Sequence, residues 1–481
     1  MTAAKQPDYI QKIEEYSDDM LEDLKTLVKC ESQTGEPEDG APFGRGPAEA
    51  LDAMLAIGRR EGMKAESVDG YAGYIEYGDQ DKDSFGILTH LDVVPGGNGW
   101  THGGPFDPVF EDGRLYGRGT SDDKGPSIAA FYALKALKDC GYEFDKRVRM
   151  IFGLNEEVGE ESLDYYKAHE EIPSFSIVPD SDFPVVSAEK GIMVFDLVKY
   201  FGIHRNNGPA IVSIKGGSAA NMVPDKAEAV VKGVGNVSRF IGRVKEFSDV
   251  THYDISASEE EDGNVRITAK GKAAHGSTPW KGVNAISVLM QFLYTIDVDS
   301  EELRETLDFY EFHIGHDMYG ERLGINLKDD KSGLLVLNVG VIDMDESKIR
   351  ITFNARIPVT MSDNDVKSGI AALLIESNID LEETMYQPPL YYEPDDPRIT
   401  KLADIYSRFT GDTESKPLVI GGGTYARQID NAVAFGAMYP GDEDRMHCAD
   451  EYVTVDRLVQ TAKIYAETIY EFAVKHDESN N

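Results

Sequence analysis

The chain has 481 residues and a formal net charge of −38, and its 41% apolar and 10% aromatic content describes a folded protein of two to four domains, not a disordered acidic polymer. So large a negative surplus argues against partnership with nucleic acid or an anionic membrane. Three cysteines build no disulfide framework, no run of 18 apolar residues appears, and the first twenty residues lack a signal-peptide core, so a reducing cytoplasm is the expected location.

Tyr9, Ile13, Tyr16, Met20, Leu24, Leu27 and Val28 recur every three or four residues, which predicts a helical stripe. After a loop rich in Gly and Pro, Ala50, Met54, Leu55, Ile57 and Gly58 predict a second helix ending near Gly62. Strand-like runs follow: YAGYIEYG, FGILTHLDVV, RVRMIFGLN and FSIVPDSD. Between the second and third lies the helical PSIAAFYALKALKDCG, with Gly141 as its stop. Alternating strands and helices indicate an α/β sheet whose functional loops sit at strand C-termini. From about Gly191 the pattern becomes hairpin-like for about 195 residues, with DMDES as a turn, EEED at 259–262 as a solvated loop, and helices at NAISVLMQFLYTI and DVKSGIAALLIES. Near Tyr391 the α/β texture returns: a helix after Pro397, the strand AVAFGAMYP and a helix from Val455 to Val474 capped by Thr454. One domain interrupted by another is the simplest organisation.

Five stretches put carboxylates or imidazoles in loops: HLDVVP at 90–95, GRGTSDDKG at 117–125, GLNEEVGEES at 153–162, VPDSDFP at 178–184 and MHCADEY at 446–452. Any one acidic pair is ordinary solvated surface, and a lone histidine is usually a hydrogen-bonded core residue. His90, Asp92, Asp122, Glu156, Glu157 and Asp180, however, all follow apolar strands or sit in Gly-rich turns, where carboxylates are costly unless paired or metal-bound.

With GGSAANMVPD at 216–225, AAHGSTP at 273–279, NARIPV at 354–359 and IGGGTYAR at 420–427, these stretches run in order along nearly the whole chain. The set resembles the co-catalytic dizinc peptidase clan of carboxypeptidase G, aminoacylase and the desuccinylases, and within it the PepV-type dipeptidases. The resemblance implies an α/β, mixed-sheet zinc-peptidase catalytic domain formed by residues 1–189 and 387–481, with an inserted α+β lid domain at 190–386. It implies that His90 and Asp180 bind one divalent ion, that Glu157 and His447 bind another, and that Asp122 bridges them. Imidazole with carboxylate favours zinc, with manganese or cobalt as alternatives. Asp92 is expected to receive the other ring N–H of His90. Glu156 is the expected general base for a metal-bridged hydroxide, the alternative being that Glu156 is the ligand and Glu157 is solvated. The resemblance also implies a cis peptide after Asp122.

In the inserted region His275 is the expected oxyanion donor, with a structural turn histidine as its alternative. Asn221 and Arg356 are expected to hold the polar ends of the substrate, Arg356 by gripping a carboxylate. Gly421, Gly422 and Gly423 lack the order of a phosphate loop and are expected to bring backbone against a bound peptide. Cys448 is expected to be a small buried side chain. The implied activity is hydrolysis of unblocked dipeptides, β-Ala-Xaa types included, by a monomer whose His275 serves its own chain. A deacylase of N-acyl amino acids, a non-catalytic acidic metal-binding protein and a glycosidase are the competing readings; the last leaves His90 and His447 without a task.

Overall fold

The computed structural model describes residues 7–202, 209–298 and 300–476. Two compact units divide the chain. The first comprises the residues up to Ser187, Tyr392–Leu418 and the chain from Thr424 onward; the second comprises Ala188–Tyr391 together with Val419–Gly423.

The first unit is built on a six-stranded mixed sheet. Its strands are β1 (Lys64–Val68), β2 (Ala72–Tyr77), β3 (Ser84–His90), β4 (Arg147–Gly153), β5 (Phe175–Val178) and β6 (Ala432–Ala434), in the spatial order β1-β2-β4-β3-β5-β6. β4, β3, β5 and β6 run parallel, whereas β1 and β2 join antiparallel at one edge. Every residue of β3, β4 and β5 is buried, as expected of parallel strands covered on both faces, whose sequences read as near-continuous apolar runs. Helix α1 (Lys124–Asp139) follows the DDKG turn and is buried from Lys124 to Leu137. It packs against β3 and against α2 (Val455–Ala473). Gly141 ends the run in the left-handed region at φ 78°, and Thr454 caps α2 by accepting from the Arg457 N–H at 3.1 Å.

The N-terminal apolar stripe is not one helix. Asp8–Glu15 and Ser17–Val28 are separated at Tyr16, yet all seven stripe residues are buried, so the burial pattern continues across the break.

The second unit carries an eight-stranded, wholly antiparallel sheet in the order 254–259, 265–270, 226–232, 210–216, 336–344, 348–357, 191–200, 380–387. Its core gathers Phe195, Val231, Ile267 and Phe353 from the strands with Ile286, Leu289 and Leu293 from the helix Ala285–Tyr294. Among the described residues no helix is long and apolar enough to cross a membrane.

Candidate metal centre

Three parallel strands of the first unit deliver side chains from their carboxyl ends. His90 is the last residue of β3, Glu156 and Glu157 follow Gly153 at the end of β4, and Asp180 follows Val178 at the end of β5. Asp122 precedes α1, and His447, at φ 60°, lies in the loop before α2. The ends of parallel strands are where α/β sheets expose backbone and side chains to ligand.

Two donor clusters share Asp122. In the first, His90 Nε2 lies 3.0 Å from Asp122 Oδ1 and 3.8 Å from Asp180 Oδ2. In the second, His447 Nε2 lies 2.9 Å from Asp122 Oδ2 and 3.2 Å from Glu157 Oε2. The peptide between Asp122 and Asp123 is cis. Asp92 meets His90 through its carbonyl as well as its carboxylate. The Nδ1 atom of His90 faces the backbone carbonyl of Asp92 at 3.0 Å, with the carboxylate 3.5 Å away. That carboxylate also accepts from the backbone N–H groups of Glu156 and Glu157, each at 3.1 Å. A carboxylate accepts only, and two successive amides use both its oxygens, so Asp92 fixes the Glu156–Glu157 turn.

The electrostatics follow from the crowding of these buried groups. Burial and then the charge of Asp180 push Glu156 well above the usual carboxylate range. Burial and the charge of Asp122 raise Asp180 to about 7 and also raise Glu157. Burial opposes ionisation of Asp122 too, but the His447 and His90 bonds outweigh it and hold its pKa down. The bonds to Asp122 and Glu157 carry His447 to about 11. Glu157 Oε1 is buried with no hydrogen-bond partner among the described residues. Crowded carboxylates and two imidazoles with spare acceptor capacity form a donor set that fits divalent cations such as zinc.

Four neighbours escaped the sequence reading. Asp123 is fully buried and accepts from the His90 N–H at 3.2 Å. Arg118 and Glu451 form a buried pair at 2.7 Å beside the ligand loops. The Tyr425 ring stands edge-on to His90, and the bare Gly153 Cα leaves room for its hydroxyl. Only the position of Glu451 four residues after His447 offered a local cue. Cys448, expected to be buried, is exposed.

His275, Asn221, Arg356 and Gly421–Gly423 belong to the second unit. His275 Nδ1 faces Ser277 Oγ at 2.6 Å and the Ser277 N–H at 3.2 Å, contacts that a neutral ring with its proton on Nε2 satisfies as acceptor. Gly276 N–H donates to the Asn221 carbonyl at 2.6 Å. A Cβ on Gly421 would meet Ser277 Cβ at 2.9 Å, so glycine is what permits that approach. Arg356 is 3% exposed; it donates from Nε to Asn354 Oδ1 and from Nη1 to the Gly421 carbonyl, both at 2.7 Å. The second unit therefore links all four elements through contacts of its own.

Known proteins resemble the chain along its whole length. A protein of Staphylococcus haemolyticus and one of Staphylococcus epidermidis, both named as a "putative dipeptidase", are each 37% identical over 470 residues, covering 97% of this chain and 99% of the relative. The crystal structure of human carnosine dipeptidase 1 shares the fold with a TM-score of 0.55 at 17% identity, covering 95% of this chain and 96% of that one. The pattern of peptidase family M20/M25/M40 matches residues 86–471, which include every donor of the two clusters. The chain belongs to that peptidase family.

Proposed function

We propose that this protein is a PepV-type, metal-dependent dipeptidase that hydrolyses unblocked dipeptides, β-Ala-Xaa types included. The observation that carries the reading is the pair of donor clusters sharing Asp122, with Glu156 adjoining them. The names of the 37% identical relatives support the substrate class. In this reading His90 and Asp180 hold one ion, Glu157 and His447 the other, and Asp122 serves both. Bound there, divalent ions supply Lewis acidity, polarising a carbonyl oxygen and making water more acidic.

The chain's own groups do the rest. Glu156, made basic by burial, takes a proton from the attacking water as the water oxygen bonds to the scissile carbonyl carbon. It then delivers that proton to the amine nitrogen as the C–N bond breaks. Asp92 holds Glu156 in position through the two backbone amides. The Nε2–H of His275 donates to the developing oxyanion, Arg356 pairs with the substrate carboxylate, Asn221 holds a substrate polar end, and Gly421–Gly423 present backbone to the peptide. The active unit is a monomer.

A panel of Ala–Ala, β-Ala–His, N-acetyl-alanine and alanine amide tests the reading. Turnover of the two unblocked dipeptides alone is expected. Preferential turnover of N-acetyl-alanine would replace the reading with a deacylase.

The titrating groups give a second expectation. In metal-free protein Asp180, at about 7, and His447, at about 11, bind protons more tightly folded than unfolded, since their unfolded values are about 3.9 and about 6.5. Their contribution to stability is therefore present at low pH and lost as pH rises through the folded values. Asp122, shifted the other way, acts only below about pH 4. Asp180 and His447 would have to release these protons to hold a metal ion, so metal affinity would fall as pH falls. The gain in Tm on adding Zn²⁺ to chelator-treated protein should thus shrink between pH 8 and pH 5.5. A gain that grows on acidification contradicts the assignment.

A further inference from the structure

Glu451 is fully buried, and its carboxylate is the meeting point of three donors. Oε1 accepts from the Gly119 N–H at 3.0 Å and the Ser121 N–H at 2.9 Å. Oε2 accepts from Arg118 Nη1 at 2.7 Å. The two amides lie on the turn that leads into Asp122, and Glu451 itself lies on the segment that carries His447. Backbone bonds run the same way: the Gly117 N–H donates to the Glu451 carbonyl at 2.9 Å, and Ser121 Oγ donates to the Tyr452 carbonyl at 2.8 Å. Arg118 extends the link, donating to the Cys448 carbonyl at 3.2 Å and to the Pro95 carbonyl at 3.3 Å. Pro95 closes the loop that begins at His90. Three ligand-bearing loops are thus joined through one ion pair.

Those loops need an external hold. His447 sits at φ 60°, a left-handed conformation that a non-glycine residue rarely keeps without surrounding support. Asp450, at φ 57°, makes the corresponding link on the exposed side, accepting from the Thr101 and His102 amides.

We propose that Glu451 is a positioning residue that, with Arg118, holds the Asp122 and His447 loops at the mutual spacing that a metal pair requires. The inference rests on the metal-dependent reading of the site. Its chemistry is that of an acceptor-only group facing donors alone. Glutamine has the same length, but with its oxygen toward the two amides its NH₂ faces the Arg118 guanidinium, and with its oxygen toward Arg118 its NH₂ faces the amides. Either arrangement leaves a buried donor unmatched and loosens the turn.

Competition between each protein and a zinc chelator tests this without reference to activity. Glu451→Gln is expected to raise the Zn²⁺ dissociation constant ~10–100-fold, with a parallel fall in kcat at little changed KM. Arg118→Lys keeps a cation but loses the fork that reaches both carbonyls and Glu451; it should weaken Zn²⁺ in the same direction, and it stands in if the glutamine variant does not fold. Glu467→Gln is the control, because Glu467 is another buried carboxylate of the first unit and bonds Tyr9 and Arg408, away from the ligand loops. It should lower Tm and leave Zn²⁺ affinity unchanged. A parent that binds zinc, with Glu451→Gln or its stand-in within twofold of it, overturns this inference alone. A parent that takes up no zinc overturns the metal reading and this inference with it.

Discussion

Glu156→Ala is expected to lower kcat by ~10²–10⁴-fold, the usual contribution of a positioned general base, while the metal content of the protein stays at the parental value. The argument begins with the two acidic neighbours at the end of β4. Asp92 takes the amides of both, so the turn itself does not depend on the Glu156 side chain. Glu157 Oε2 lies 3.2 Å from His447 and belongs to a donor cluster; Glu156 belongs to neither cluster. On the proposed assignment, removing Glu156 removes a proton carrier and no ligand. Glu156→Gln should fall as far, because the amide keeps the shape and lacks the basicity. Loss of one metal ion from either variant would exchange the roles of Glu156 and Glu157. Near-parental turnover would remove Glu156 from the chemistry.

Arg356→Ala is expected to cost ~2–5 kcal/mol, the penalty for truncating one partner of a desolvated charge pair. That is roughly 30-fold to several thousand-fold in kcat/KM for dipeptides with a free carboxylate. Arg356 is almost wholly buried, and Asn354 and the Gly421 carbonyl fix its plane before any substrate arrives. A guanidinium held in this plane matches the flat, two-oxygen geometry of a carboxylate. Arg356→Lys should recover little, because an ammonium supplies charge without the planar fork. Dipeptide amides should be poor substrates of the parent and lose little more in the variant. Equal losses for acids and amides would make Arg356 a structural residue.

Of the residues in the two donor clusters, His90, Asp122, Glu157 and Asp180 stood out because each follows an apolar strand or a Gly-rich turn, where an unpaired carboxylate is out of place, whereas His447 was placed with them by the family resemblance alone. The order of β3, β4 and β5 then brings them together at one end of the sheet. The support around them was not legible. Arg118, Asp123 and Glu451 look like three more charges in a chain with 86 acidic residues, and their burial is decided by loops distant in sequence. The place of Asp92 was legible in part: its carboxylate lies 3.5 Å from His90 Nδ1, the partner that alternation along a strand suggested, but its carbonyl lies closer, at 3.0 Å, because the chain leaves β3 at His90. Among the helices, Val237–Thr251 buries only Phe240 and Val244, too sparse a stripe to declare itself. Glu301–His313, capped by Ser300 and burying Leu303, Leu307 and Tyr310, did carry a readable pattern that the surrounding acidic residues obscured.

Titration of Zn²⁺ into chelator-treated protein, with bound metal and Ala–Ala hydrolysis followed together, bears most directly on the claim that two donor clusters sharing Asp122 carry out peptide hydrolysis. Turnover absent without metal, and rising to a plateau at two ions per chain, is the predicted result. Undiminished hydrolysis in the stripped protein, or binding of two ions without any hydrolysis, would contradict it.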